Sequence, residues 1–297
     1  MKRIAIIGII LLTLVAGFVI GCTEKDLSQK ELNQVVSSVL SKNSEVNTCR
    51  FQMNLLETVT ISKDESEAAK PGGESDPNTV TVNISGSGTG AMDKAAQAMQ
   101  IALNMTTETP GEGKQDVSME SYLVSGAMYT KVTVPQKGEQ WIKMSMPEGI
   151  WESQNRLNQQ AELLAMAEEV KYLGIEDVGG IQCYVVAITP SAKSINELVS
   201  QVAMPAMGGI DPSKINLANM IKEMSIKQWV ARDSYLFMKT SQHMTMELNA
   251  EDLGIPKDEF AMMAADISVE MTFSDYNQPV SIELPQAALE AVELKQK

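Results

Sequence analysis

Residue types able to carry out chemistry are scarce in this chain of 297 residues, which holds one histidine and three cysteines. His243 stands in a stretch of strand-like alternation with no nucleophile elbow beside it, so a Ser-His-Asp hydrolase has little to build on. Cys22, Cys49 and Cys183 are too scattered to form a Cys/His zinc site of ordinary spacing. Methionine is abundant, with 20 residues against 14 aromatics, and thioethers are soft ligands for Cu(I). His243 and Met244, however, are neighbours on a strand and point to opposite faces, which works against a copper site. Gly86-Ser87-Gly88-Thr89-Gly90 lacks the Gly-Lys-Ser/Thr ending of a phosphate loop. Glu65, Glu67, Glu74 and Asp76 do not fit the spacing of a calcium loop. No metal or cofactor is expected. With 24 basic and 38 acidic residues, the chain has a formal charge of −14 and a pI near 4.6. That balance excludes a nucleic-acid partner, which needs a basic surface.

The remaining cysteine chemistry is a matter of address. Met1-Lys2-Arg3 is a basic start, Ile4 to Ile20 is apolar, and Gly21-Cys22 precedes the polar stretch Thr23-Glu24-Lys25-Asp26. A charged n-region, an apolar h-region and a small residue before the cut describe a secretory signal. A run of this length also lies at the short limit for a membrane span. The cysteine decides between them, because the segment resembles the lipobox of prokaryotic lipoproteins, in which the thiol takes a diacylglyceryl group and becomes the new N-terminus. On that resemblance residues 1–21 are a signal peptide and Cys22 is the lipidation site. Residues 22–27 are a short tether on the extracytoplasmic face of the cell membrane. Loss of Lys2 and Arg3 takes the formal charge to −16. An anionic surface would repel such a domain, so the acyl chains must hold it, each buried CH₂ contributing ~0.8 kcal/mol.

The elements after the tether alternate in a recognisable way. Ser28-Gln29-Lys30-Glu31 reads as a capping box, and Leu32, Val35, Val36, Val39 and Leu40 give the stripe of an amphipathic helix. From Cys49 the period becomes two, with Cys49, Phe51, Met53 and Leu55 on one face of a strand. Residues 62–78 read as a mobile acidic loop. Strands follow at Val80, Val82 and Ile84, at Met99, Ile101, Leu103 and Met105, and over 116–125, 127–134 and 140–146. Gly86, Gly88 and Gly90 share one face, where they let a strand bend or a helix approach. The spacing predicts a helix over 151–170, strands at 171–178 and 181–189, and a helix over 194–202. A loop at 204–213 and a helix over 213–224 come next. Strands at 225–232, 236–248, 264–274 and 279–284 precede a short helix from Pro285. The class is α+β, one antiparallel sheet with helices on one side, and residues 28–297 form a single domain.

Several phrases carry a family resemblance: Tyr122-Leu123-Val124-Ser125-Gly126-Ala127-Met128-Tyr129, Trp141-Ile142-Lys143-Met144, Cys183-Tyr184-Val185-Val186, Lys227-Gln228-Trp229-Val230 with Asp233, and Ser274-Asp275-Tyr276-Asn277-Gln278-Pro279-Val280. With the order of elements, they resemble the LolA-like and LppX-like lipoproteins. The resemblance implies a strongly curved antiparallel sheet of about 11–12 strands, an unclosed half-barrel wrapped around helices. Related folds serve as lipoprotein carriers, lipid-binding lipoproteins and envelope-stress sensors. The expected function is non-catalytic binding of a lipid or acyl chain in the half-barrel. A sensor or scaffold that uses the same concavity for a protein partner is the alternative.

Within that frame the methionines are either core filler or a deformable lining, since an unbranched thioether adapts to varied apolar shapes. The candidate lining is Met53, Met99, Met105, Met144, Met146, Met166, Met244, Met246 and Leu248. Trp141, Trp151 and Trp229 either rim the mouth or anchor the core. Asn83-Ile84-Ser85 and Asn104-Met105-Thr106 fall inside strands and are chance glycosylation matches. Cys49 and Cys183 are the even remainder that an oxidising compartment invites to pair. Buried free thiols are the other outcome.

Overall fold

Ser28 starts the first helix as its sequence demands. Its Oγ accepts from Glu31 N at 3.4 Å while Glu31 Oε2 accepts from Ser28 N at 2.8 Å, closing the capping box of α1 (Gln29–Ser44). Leu32, Val35 and Val39 are buried on one stripe. Asn43 fastens the far end: its Nδ2 donates to Val39 O at 2.8 Å and Tyr235 O at 3.0 Å, and its Oδ1 accepts from Phe237 N at 3.3 Å. The computed structural model describes residues 27–62, 79–111, 113–134, 138–146, 151, 155–191, 195, 220–250 and 261–293.

The strands are β1 (Thr48–Ser62), β2 (Thr79–Asp93), β3 (Ala98–Thr109), β4 (Gly113–Val124), β5 (Ala127–Val134), β6 (Gly138–Ser145), β7 (Ala167–Val178), β8 (Ile181–Pro190), β9 (Ile221–Ala231), β10 (Phe237–Asn249), β11 (Met262–Ser274) and the two-residue β12 (Val292–Glu293). The second helix, α2 (Arg156–Ala165), precedes β7, and a 3₁₀ turn, η1 (Gln286–Glu290), precedes β12. All twelve strands join one sheet in the order β12-β6-β5-β4-β3-β2-β1-β11-β10-β9-β8-β7. Every neighbouring pair is antiparallel except β12 with β6. The sheet does not close, because β7 and β12 are its edges. An unclosed half-barrel with helices on one face is the architecture the family resemblance implies.

Side chains directly opposite in a ladder share a face, so the register defines the inner, helix-bearing face. It carries Cys49, Phe51 and Met53 of β1, Met92 of β2, Met99 and Ile101 of β3, and Met271 and Phe273 of β11. These residues pack with Leu32, Val35 and Val39 of α1 and Leu157, Leu163 and Leu164 of α2 in one core. Gln160 braces α2 to the sheet: Gln228 Nε2 donates to its carbonyl at 2.9 Å and Thr240 Oγ1 to its Oε1 at 3.0 Å. Burying that amide is tolerable only because it is bonded.

Several elements depart from the sequence expectation. The helix expected over 151–170 is shorter, because Met166 caps α2 and β7 begins at Ala167. Val170 faces inward on either scheme, so hydrophobic count alone does not separate them; its pairing with Ile188 does. Residues 221–224 extend β9 and do not form a helix, with Met224 opposite Met244. The strand expected at 279–284 joins no ladder, although Val280, Ile282 and Leu284 are half-buried in alternation. The acidic loop at 63–78, most of 194–202 and the segment 204–219 lie outside the described residues.

The cysteines take the second of the two outcomes open to them. Cys49 and Cys183 are both free and buried. Cys49 faces inward opposite Met92, whereas Cys183 points outward, in a cluster with Val185 and Trp229. Strands β11, β10 and β9 separate them. At ~4.8 Å per strand they are roughly 19 Å apart, far beyond the reach of a disulfide.

Candidate functional site

The inner face has two halves. One is the core against α1 and α2. The other begins near Leu55 and runs toward the ends of β1, β3, β9 and β10, where most inward residues are half-buried, while Ile188, Ile226 and Leu248 at its margins are buried. Across this second half, one row reads Val117, Met105, Gly86, Leu55, Val269, Gln242, Ile226 and Ile188. The next reads Gln115, Thr107, Ile84, Glu57, Ile267, Met244 and Met224. Beyond these lie Val82, Val59, Ala265 and Met246, then Val80, Ile61, Met263 and Leu248. The result is a long apolar floor with flexible thioethers distributed along it.

Most of the expected lining falls on this face. Met53, Met99, Met105, Met144, Met244, Met246 and Leu248 are all inward by register. Met146 packs against the same core. They serve two purposes, however. Met99 is sealed in the core and Met53 packs against it, whereas Met105, Met244 and Met246 are half-buried on the open half. Met144 is half-buried near the β6 edge, opposite Met128. Leu248 is buried at the far end. Met166 is not on the sheet; it is the C-cap of α2. Met119, Met224 and Met263 are inward residues that the sequence pattern did not single out.

The glycines on β2 act between strands. A Cβ at Gly90 would fall within the ring of Phe51, and one at Gly88 would lie 2.7 Å from Ala102 O and 3.1 Å from Leu103 Cδ1. Absent side chains on β2 therefore leave room for side chains leaning in from β1 and β3. The three tryptophans do not form a rim. Trp151 is in the core, while Trp141, opposite Lys131, and Trp229 are on the outer face. Trp229 Nε1–H donates to Glu176 Oε2 at 2.7 Å, and Lys239 Nζ stands 4.9 Å above its ring. His243 is outward too, 3.1 Å from Ser268 Oγ, so the strand alternation keeps it apart from Met244 and Met246 as expected.

Glu57 is the residue that sequence reading overlooked. The inward stripe Cys49-Phe51-Met53-Leu55 continues in register through Glu57, Val59 and Ile61. A carboxylate is thereby placed between Ile84 on β2 and Ile267 on β11. Desolvation raises its pKa above the ordinary glutamate value. The signal was available: the period of two simply had to be followed past Leu55. Arg156, at the start of α2, is a second desolvated charge. Its Nη1 donates to Gln159 Oε1 at 3.0 Å, while its buried Nε has no partner among the described residues. Burial lowers its pKa.

Among the described residues no group of His, Cys, Asp and Glu is placed to hold a metal ion, and no helix is long and apolar enough to cross a membrane. Fold and inner face together define a half-barrel whose open floor is apolar. Residues 31–293 match the model of a family of unknown function, DUF6612, and the chain belongs to that family. No curated protein matches it. Among solved structures it is similar to LprF from Mycobacterium bovis, at 14% identity and a TM-score of 0.44, covering 88% of this chain and 99% of that one. It is also similar to the Mycobacterium tuberculosis lipoprotein LppX, at 15% identity and a TM-score of 0.39, covering 86% of this chain and 100% of that one.

Proposed function

We propose that this protein is a lipid-anchored, extracytoplasmic binder of a hydrophobic ligand, a lipid or acyl chain, on the open half of its inner face. The observation that carries the reading is the half-buried apolar floor around Met105, Leu55, Val269 and Met244. Transfer of an apolar chain onto such a floor is favourable by roughly 25 cal/mol per Å² removed from water. Methionine suits the task because its three rotatable bonds refit around chains of different shape without strain. No step in this process requires a nucleophile or a base, so the role is non-catalytic.

The anchor is Cys22, which carries the diacylglyceryl group once the segment before it is removed. The domain from residue 28 onward then stays close to its membrane, the source or sink of the ligand. Mass spectrometry of the intact chain, purified gently from its native membrane, tests both parts. The expected spectrum shows a lipid-modified N-terminal peptide beginning at Cys22 and a copurified apolar molecule near one per chain. An unmodified Cys22 would remove the anchor. An empty chain in a stable complex with another protein would replace the carrier with a scaffold.

A further inference from the structure

Strands β1–β6 and β8–β11 sort charge with a single exception. In β1, Arg50 is outward and Glu57 inward. The charged residues of β2 to β6, Asp93, Glu108, Lys114, Asp116, Glu120, Lys131, Glu139 and Lys143, all fall on the outer face by register. So do Glu223 and Lys227 of β9, Lys239, His243 and Glu247 of β10, and Asp266 and Glu270 of β11. Lys222 ion-pairs with Glu247 at 3.1 Å on that same outer side. Among the described residues of β1–β6 and β8–β11, Glu57 is therefore the one charged group on the inner face.

Its surroundings offer little to satisfy it. Ile84 and Ile267 flank it across the ladders, and Leu55 and Val59 precede and follow it on the same face. No hydrogen bond or ion pair ties its carboxylate to any described residue. A carboxylate held in apolar surroundings is costly unless a donor reaches it. The fold could have used leucine here, as it does two residues earlier. A charge retained on the central strand of an otherwise uncharged floor calls for a partner that arrives with the ligand.

Resting on the binding role proposed above, we propose that Glu57 is the polar anchor of the floor, selecting apolar chains that bear a hydrogen-bond donor, a hydroxyl or amino group. The donor bonds the carboxylate between Ile84 and Ile267, while the chain extends over Leu55, Val269, Met244 and Met105. An acceptor-only head, such as an ether, leaves the carboxylate unsatisfied and desolvated, and a ligand carboxylate adds like-charge repulsion. The selection is therefore between chains of equal length that differ only in their head.

Photo-crosslinking of the full chain in detergent micelles tests this with three probes of one chain length. Each carries a diazirine on the chain and ends in a primary alcohol, a primary amine or a methyl ether. The expected result is that alcohol and amine label peptides from β1, β10 and β11 several-fold more than the ether does. Glu57→Leu should erase that preference, so that the three probes label alike. Glu57→Gln, whose amide oxygen still accepts a hydrogen bond but carries no charge, should weaken the preference for the amine more than that for the alcohol. Equal labelling by all three probes on the wild-type chain would overturn the anchor and leave the apolar floor standing. Absence of labelling by any probe would overturn the binding role itself. A preference that survives Glu57→Leu would place the polar contact elsewhere.

Discussion

Cys49 sits at the start of the inward stripe of β1, and burial pushes its thiol up to about 12. Cys183, on the outer face, is pushed up to about 11 by burial, with the Asp177 carboxylate adding to it. Only the thiolate attacks a disulfide reagent, so neither residue should react in the folded protein at pH 8. In a Cys22→Ser chain, thiol titration should count none while folded and two after unfolding without reductant; none after unfolding would mean that the pair is bridged. Glu57 gives a pH prediction of definite sign. Its folded pKa lies above the unfolded value, so the native state holds more protons between the two, and stability falls as pH rises through that window. The effect begins near the ordinary carboxylate range and is complete above the raised value. Glu57→Leu should therefore raise the unfolding midpoint at pH 7 more than at pH 4. An equal gain at both pH values would show that Glu57 carries no desolvation penalty.

At the level of the elements, local patterning was readable wherever the ladder and the hydrophobic period agree. The capping box at Ser28 and Glu31 and the inward stripe of β1 both stand where the residues place them. Reading failed where an apolar run satisfies two periods at once. Leu163, Leu164, Ala167 and Val170 suit a helix that in fact ends at Ala165. The stretch from Val280 to Leu284 alternates like a strand but joins no ladder. Partner availability is a property of the sheet and leaves no mark on the segment itself. Gly90 illustrates a contact that crosses elements. Gly90→Val places methyls where the Phe51 ring lies, and overpacking of this kind costs about 1–3 kcal/mol. Denaturant unfolding should show that loss, and Phe51→Leu should recover part of it by vacating the ring. Additive losses in the double variant would mean that the two residues do not share space.

Taken whole, the molecule separates its chemistry by face. Ion pairs such as Lys131 with Glu120 and Glu139, or Lys239 with Glu270, lie on the outer surface. These half-buried pairs keep the charges on one face and leave the other to apolar side chains. The alternation that achieves this was plain in the sequence, and it placed seven of the nine expected lining residues inward by register. What it could not distinguish was core from open floor: Met99 and Met105 belong to one stripe of β3, yet only the former is sealed. That division depends on where α1 and α2 end over the sheet, which is a tertiary fact.

The claim that the open half of the inner face binds an apolar chain is tested most directly by two adjacent residues on β10. Met244 points inward between Ile267 and Met224, and Thr245 points outward between Asp266 and Glu223. A lysine at either position lies on the same strand, but only one of them puts a charge on the floor. Titration of the full chain with a fluorescent fatty-acyl probe should saturate for the wild type. It should be unchanged or nearly so for Thr245→Lys, whose new charge faces two carboxylates, and weakened at least tenfold for Met244→Lys. Equal affinity in all three chains, or weakening by Thr245→Lys alone, would contradict the assignment of binding to the inner face.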